Sequence, residues 1–296
     1  MISAILTAHN ESDELRRTLS SLRARTSRPF ECIVVDDAST DGCCDGIDGE
    51  QVCVVRNETR VGVAPSRLLA AGRSTGAALA FFDGHQRISQ GCVERCAELA
   101  LQRNCIVSPI VQGFKSRNRP IYGASFRMCP DNGYFSADWI LKRPWRRTRP
   151  ITALRAPGYV IPRAIFDQVC WIDGMRGWGG SEAVVSLKAF FTGIEIVSLR
   201  GPVAWHRFKK TFHYHVSADD IWRNHALIAR VCFSEKTWYE YWLPELFEWH
   251  LTDEALRDLE SADVVAQQRD FQNDKVRPDR DFWEVLLRRE PPQAVL

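Results

Sequence analysis

Phe81-Phe82-Asp83-Gly84-His85 is the sharpest chemical feature of the sequence: an apolar run ends in a carboxylate and an imidazole two positions apart, with a glycine between. Alternate residues at the end of an extended strand can converge on one ion, and glycine permits a tight turn there. A carboxylate oxygen with an imidazole suits Mn²⁺ or another borderline divalent metal. Asp-Gly is also a common turn, so the pair alone carries both readings.

Its neighbours along the chain narrow the chemistry. Val35-Asp36-Asp37 puts two carboxylates at the end of another apolar run. Either could accept the imino hydrogen of a uracil or a ribose hydroxyl. A structural reading competes, because Ser39 or Asp41 could cap a following helix. Arg60-Val61-Gly62, followed by Arg67, sets two guanidinium groups where they could neutralise a diphosphate or sit as solvated surface arginines. Gly177-Trp178-Gly179-Gly180-Ser181-Glu182 combines glycines that let backbone approach a ligand with an indole face suited to a sugar ring. Glu182, opening the next helix, could act as a general base or simply complement the helix dipole. Trp205-His206 ends a strand-like run with a second histidine.

These residues need elements to hold them. Ser3–Ala8 and Glu31–Val35 are short apolar runs flanking Glu11–Arg23, where Leu15, Leu19 and Leu22 share one helical face. That is strand–helix–strand, the unit of a parallel sheet. The pattern repeats with strands at Gln51–Val55, Ala77–Phe82 and Cys105–Pro109, and with helices at Ala64–Ser74 and Gln90–Arg103. Residues 1–110 therefore read as a doubly wound nucleotide-binding half, whose ligands bind beyond the carboxyl ends of the strands. Residues 111–215 read as an acceptor and metal half, with 112–150 as long loops. Residues 216–296 read as a helical C-terminal extension. Its aromatics Trp238, Tyr239, Tyr241, Trp242, Phe247 and Trp249 either pack it onto the core or form an acceptor surface, and Lys275–Arg280 with Pro291–Pro292 is expected to be an extended arm.

The composition is that of an ordinary globular protein: 45% hydrophobic, 26% charged, net charge +2. Total charge therefore does not point to nucleic acid or membrane. No apolar run approaches the roughly 18–20 residues that a bilayer needs, so no membrane partner is expected. Ten cysteines show neither zinc spacing nor a disulfide framework. With no leader visible, the expectation is reduced thiols and a cytoplasmic protein.

In order and spacing the motifs resemble family 2 glycosyltransferases of the GT-A fold, an α/β architecture with a mostly parallel central sheet. Ala8-His9-Asn10-Glu11 and Val34–Asp41 look like that family's opening. The closer similarity, over roughly residues 1–235, is to the catalytic domains of polypeptide N-acetylgalactosaminyltransferases, with their Arg-x-Gly…Arg helix, Asp-x-His motif, Trp-Gly-Gly segment and later histidine. The resemblance implies a nucleotide-sugar donor, with UDP favoured, and Mn²⁺ (or Mg²⁺) held by Asp83, His85 and His206. It implies a donor site at Ala8, His9, Asn10, Glu11, Asp36, Asp37, Arg60, Gly62, Arg67, Gly179 and Gly180, and it puts Trp178 and Glu182 at the reacting centre. Ser181-Glu182 replaces the family's Glu-Asn, and a carboxylate at that second position permits an inverting displacement with Glu182 as base.

The acceptor is open. Lys142-Arg143-Pro144-Trp145-Arg146-Arg147-Thr148-Arg149 is dense in cations. It is expected either to close over a diphosphate or to meet an anionic acceptor such as DNA carrying a hydroxymethylated base, with Trp145 stacking on a base. A peptide, protein or glycan hydroxyl fits the resemblance. Two alternatives stand beside the transferase: a nucleotide-sugar-binding module without catalysis, and a nucleotidyltransferase, though His9-Asn10-Glu11 lacks the glycines the latter would use.

Overall fold

β1 (Ile2–Ala8), β2 (Phe30–Asp36), β3 (Val52–Arg56) and β4 (Ala78–Asp83) form, in the computed structural model, where the chain is most continuously apolar. The structure describes residues 1–49, 51–115, 117–129, 135–155, 158–209 and 214–295. These four strands lie parallel in the order β3-β2-β1-β4, connected by α1 (Asp13–Arg25) and α2 (Val63–Arg73). Side chains alternate across the sheet: Ile5, Val35 and Phe81 enter one core, Leu6, Val34 and Phe82 the other. A strand buried on both faces has no polar side to show, which is why β1, β2 and β4 read as solid apolar blocks.

The sheet continues through later segments. β5 (Gln86–Ile88) follows β4 after a two-residue turn, and α3 (Cys92–Arg103) leads to β6 (Ile106–Gly113). Residues 112–150 are not one long loop. They hold a hairpin, β7 (Ala124–Met128) with β8 (Phe135–Trp139), and an edge strand, β9 (Thr148–Ile151). β7 and β8 do alternate, Ala-Ser-Phe-Arg-Met and Phe-Ser-Ala-Asp-Trp, but each run is short, and Pro150 interrupts β9. β10 (Tyr159–Pro162) inserts antiparallel between β4 and β6. After α4 (Arg163–Val169) and α5 (Ser181–Thr192), β11 (Ile196–His206) runs parallel to β6. Along its free edge β11 pairs first with β9 at Ile196–Leu199, then with β5 at Ala204–His206.

Residues beyond 215 share the core of the preceding half. α6 (Ala218–Cys232) buries Leu227 and Ile228. Phe135 of β8 packs on Trp242 and Phe282, at ring separations of 5.0 and 6.0 Å. At Lys275–Arg280 the expected arm does not stand away from the protein but docks on its core. Lys275 donates to the Cys232 carbonyl (3.0 Å), pairs with Asp279 and lies over the Phe191 ring, and Phe282 and Trp283 are wholly buried. Phe282 and Trp283, just beyond the expected arm and not singled out in the sequence, draw the segment in, because burial of two large aromatics outweighs the cost of docking them. The Trp249 side chain lies outside the described residues.

His225 of α6 gives this core a pH signature. Phe135 N–H donates to its Nδ1 (3.0 Å), and the rings stack 5.8 Å apart. Burial pushes the imidazole down to about 3. The folded value lies below the ordinary one of about 6.5, so the unfolded chain binds the extra proton first. Stability from this group is therefore complete above pH ~6.5 and is lost as pH falls, by up to about 1.4 kcal/mol per unit until the folded value is reached. The urea midpoint followed from pH 7.5 to 4.5 should show that slope, and His225→Asn, which keeps an acceptor for Phe135, should flatten it. Parallel slopes in both proteins would remove His225 as the cause.

Candidate active site

Three strand ends meet at one cleft. β1 ends at Ala8, β4 at Asp83, and β11 at His206. The antiparallel pairing His206↔Gln86 carries the second histidine, from more than a hundred residues away, to the Asp83–Gln86 turn. One ligand atom from each of Asp83, His85 and His206 lies within 4.8 Å of the others. Asp83 Oδ2 is the shared centre, 3.3 Å from His206 Nε2 and 3.9 Å from His85 Nε2.

Neighbouring charges hold this group in place. Glu11 Oε2 lies 2.9 Å from His85 Nδ1, which leaves His85 Nε2 to face Asp83. That is the outer-shell arrangement that fixes a ligating imidazole. Lys209 donates to both oxygens of Glu11, at 2.9 and 3.1 Å. Burial alone would raise the Asp83 carboxyl. The hydrogen bond from His206, the charges of His85 and Arg67 and that of His206 outweigh it and hold Asp83 well below the usual carboxylate range. An ionised carboxylate and two imidazoles, converging and already oriented, fit a divalent cation of the Mn²⁺ class.

The cleft, about 300 Å³, gathers most of the residues singled out in the sequence: Ala8, His9, Glu11, Asp37, Arg60, Gly62, Arg67, Trp178 and Glu182 line it with the three candidate ligands. Several of them do something other than expected. Arg67 is not offered to a phosphate. It is buried, donating to Glu182 Oε1 (2.8 Å), Asp83 Oδ1 (3.2 Å) and the Tyr159 hydroxyl (3.1 Å). Burial would lower its guanidinium, but the charges around it, from Tyr159, Glu182 and Asp83, raise it instead. Glu182 also accepts from Ser181 Oγ (2.9 Å), so both its oxygens are engaged.

Asp36 turns away from the cleft. Its carboxylate pairs with Arg56 (3.1 Å) and accepts from Ser39 N–H. Asp37 faces the cleft but accepts from the amides of Val61 and Gly62 and from Asn57, each at 2.9 Å. A carboxylate has about four acceptor sites, so one remains. Asn10 organises its own loop, its side-chain Oδ1 accepting from Thr40 N–H while its backbone N–H donates to Ser39 Oγ. Gly179 and Gly180 line an adjoining cavity rather than this cleft.

Gly62 serves a loop–loop approach. Val61 O and Gly177 N are 2.9 Å apart, and a Cβ on Gly62, at φ +100°, would collide with the Gly177 carbonyl. Gly62→Ala is expected to cost roughly 1–3 kcal/mol in strain. It should also part the two loops that carry Arg60 and Trp178 to the cleft wall. Urea denaturation measures the cost. Unchanged stability would mean the two loops approach less closely than this.

Sequence reading missed Tyr214, Lys209, Tyr159, Trp139 and Arg155. Tyr214 carries the Arg60 guanidinium 4.1 Å from its ring centroid and meets His9 edge-on at 5.6 Å. These residues sit in no motif, and only tertiary pairing reveals them. The cationic segment 142–149 was expected beside the site. It lines neither the cleft nor its two neighbouring cavities. It is fastened to Arg200, midway along β11, on the order of 15–20 Å of extended strand from His206.

Glycosyl transferase family 2 matches residues 3–168. The chain is 27% identical over 299 residues to polypeptide N-acetylgalactosaminyltransferase 8 of Drosophila melanogaster, covering 92% of this chain and 48% of that protein. It is likewise 27% identical over 263 residues to polypeptide N-acetylgalactosaminyltransferase 16 of Mus musculus, covering 81% and 46%. The chain thus spans about half the length of the curated relatives it matches. Among solved structures, GalNAc-T7 with UDP, GalNAc and Mn²⁺ superposes with a TM-score of 0.76 at 18% identity, over 97% of this chain and 56% of that one. S. aureus TarS 1–349 in complex with UDP-GlcNAc gives 0.57 at 18% identity, over 92% and 72%. The expected GT-A architecture is the one observed. All ten cysteines are free thiols, and no helix among the described residues is long and apolar enough to cross a membrane.

Proposed function

The chain belongs to glycosyl transferase family 2, and from that premise we propose that it transfers a sugar from a UDP-sugar to a hydroxyl acceptor with a divalent metal. The observation that carries this reading is the convergence of Asp83, His85 and His206 at the cleft where strands end. Asp83, His85 and His206 would hold the ion, Mn²⁺ or Mg²⁺, which supplies Lewis-acid stabilisation of the departing diphosphate. The rest falls to the chain's own residues. His9, Arg60 and Tyr214 form an aromatic and cationic wall for the base, and Asp37 keeps one acceptor site for its imino hydrogen. Trp178, 38% exposed at the cleft wall, offers an indole face to the apolar side of the sugar.

Glu182 takes a different part from that of a base. Its Oε1 already accepts from buried Arg67 and its Oε2 from Ser181, so each oxygen is held by a partner of its own. We assign it to positioning: it balances Arg67, and Arg67 turns Asp83 so that Oδ2 faces the histidines. N-acetylhexosamine donors and peptide hydroxyls are the first substrates to try, given what the relatives are named for, with glycans and hydroxymethylated DNA after them.

The test is a panel of UDP-sugars incubated with and without Mn²⁺, with UDP binding read in the same samples. Release of UDP from one donor, abolished by chelator, supports the transferase. Metal-dependent binding without turnover, across a panel of acceptors, would favour a binding module. Neither binding nor turnover would remove the proposal.

A further inference from the structure

Trp145 is 80% exposed, more than any other large apolar side chain described. The Arg146 guanidinium lies 4.5 Å from its ring centroid. Around it Lys142, Arg143, Arg146, Arg147 and Arg149 stand without an acidic residue between them. Among the described residues, no ion pair engages Lys142, Arg143, Arg146 or Arg147; the nearest pair along the chain is Arg127–Asp138. Five like charges crowded into eight residues repel one another, and no ion pair among the described residues offsets them.

The segment is nevertheless built. Arg200 donates from Nη1 to the carbonyls of Pro144 and Trp145, each at 3.2 Å, and from its backbone N–H to Arg147 O at 2.8 Å. Arg149 donates to Lys142 O (3.2 Å), closing the turn. Thr148↔Leu199 then zips β9 onto β11. Two arginines, Arg200 and Arg149, thus pin the turn's backbone, while Lys142, Arg143, Arg146, Arg147 and the indole are exposed. At the other end the turn leaves Trp139, which lines the cleft.

We infer that this turn is a binding site for single-stranded nucleic acid, with a base stacked on Trp145 and the phosphates on Arg143, Arg146 and Arg147. A solvent-exposed indole capped on one side by a guanidinium matches the alternation of flat base and charged phosphate along a strand. Inorganic polyphosphate, with neither base nor sugar ring, would engage the arginines but have no use for the indole. The turn lines neither the cleft nor its neighbouring cavities, so it would hold a polynucleotide away from the reacting atoms. The inference does not rest on the transferase reading, because binding is measured with no sugar nucleotide present.

The experiment is fluorescence anisotropy of a labelled oligothymidylate of about 20 nucleotides with the full chain, over a salt series. Trp145→Ala should weaken binding by about tenfold, and Trp145→Phe should keep most of it. The triple variant R143Q/R146Q/R147Q should make the slope of log affinity against log salt shallower by about two. Each variant should keep the wild-type melting temperature and metal-dependent UDP binding, which separates failure here from failure of the donor site. Wild-type protein that ignores the oligonucleotide at low salt would overturn the inference. So would binding that Trp145→Ala leaves unchanged, since that is the behaviour of a bare cationic patch that heparin would fill equally well.

Discussion

His85→Ala is expected to cut metal-dependent release of UDP by roughly 10³-fold or more while the protein stays folded. Several kcal/mol of charge stabilisation is what a bound cation supplies to a departing anion, and each 1.4 kcal/mol is tenfold in rate. His85 is the better site for this test than Asp83 for a local reason. Glu11 keeps Lys209 when the imidazole is removed, so no buried carboxylate is stranded. Asp83→Ala should lose at least as much activity, because Oδ2 is the atom both histidines face, but it also takes a partner from buried Arg67. Mn²⁺ titrations should show the ion's affinity falling in both variants. If His85→Ala kept Mn²⁺-stimulated turnover within about threefold of wild type, the three residues would not be the metal site.

The candidate ligands were legible because their signal is local. Asp83 and His85 sit two apart at the end of an apolar run, and the strand that ends in His206 is itself continuous enough to recognise. The sheet was legible for the same reason: Ile5, Val34 and Phe81 belong to blocks that cannot face water on either side. Arg67 was not. In sequence, an arginine on the first helix turns after a strand looks the same whether it reaches a phosphate or is buried, and its partners Asp83 and Glu182 are 16 and 115 residues away. The cationic turn failed in a related way. Its charge could be read, but its place was set by Arg200 and by the register of β9 on β11, neither of which leaves a periodic trace. Phe282 and Trp283 were hidden by the charged residues beside them, since composition averages over neighbours and packing does not.

Arg67→Met gives the second large effect, and it separates positioning from general structure. The side chain has 1% exposure and bridges two carboxylates that are 24% and 23% exposed. Removing it leaves Asp83 and Glu182 close together with no cation between them. Stripping one partner from a fully buried pair costs about 3–5 kcal/mol. Both carboxylates here keep some water, so about 2–4 kcal/mol is the expected loss of stability. Three further results follow if Arg67 acts by turning Asp83. Mn²⁺ affinity should fall by about 10–100-fold, the usual penalty for losing an outer-shell partner. Saturating Mn²⁺ should restore part of the lost stability, because the ion then supplies the missing charge. Adding Glu182→Gln to Arg67→Met should recover part as well, with a coupling of at least about 1 kcal/mol, since one of the two stranded carboxylates is neutralised. A general base at Glu182 predicts the opposite of that last result for turnover. Glu182→Gln alone would then abolish transfer at saturating Mn²⁺, whereas a positioning group acting through Arg67 costs metal affinity first and leaves most of the turnover once the ion is bound. Additive stabilities with unchanged Mn²⁺ affinity would mean that Arg67 merely fills the core, and that Asp83 is oriented by its strand alone.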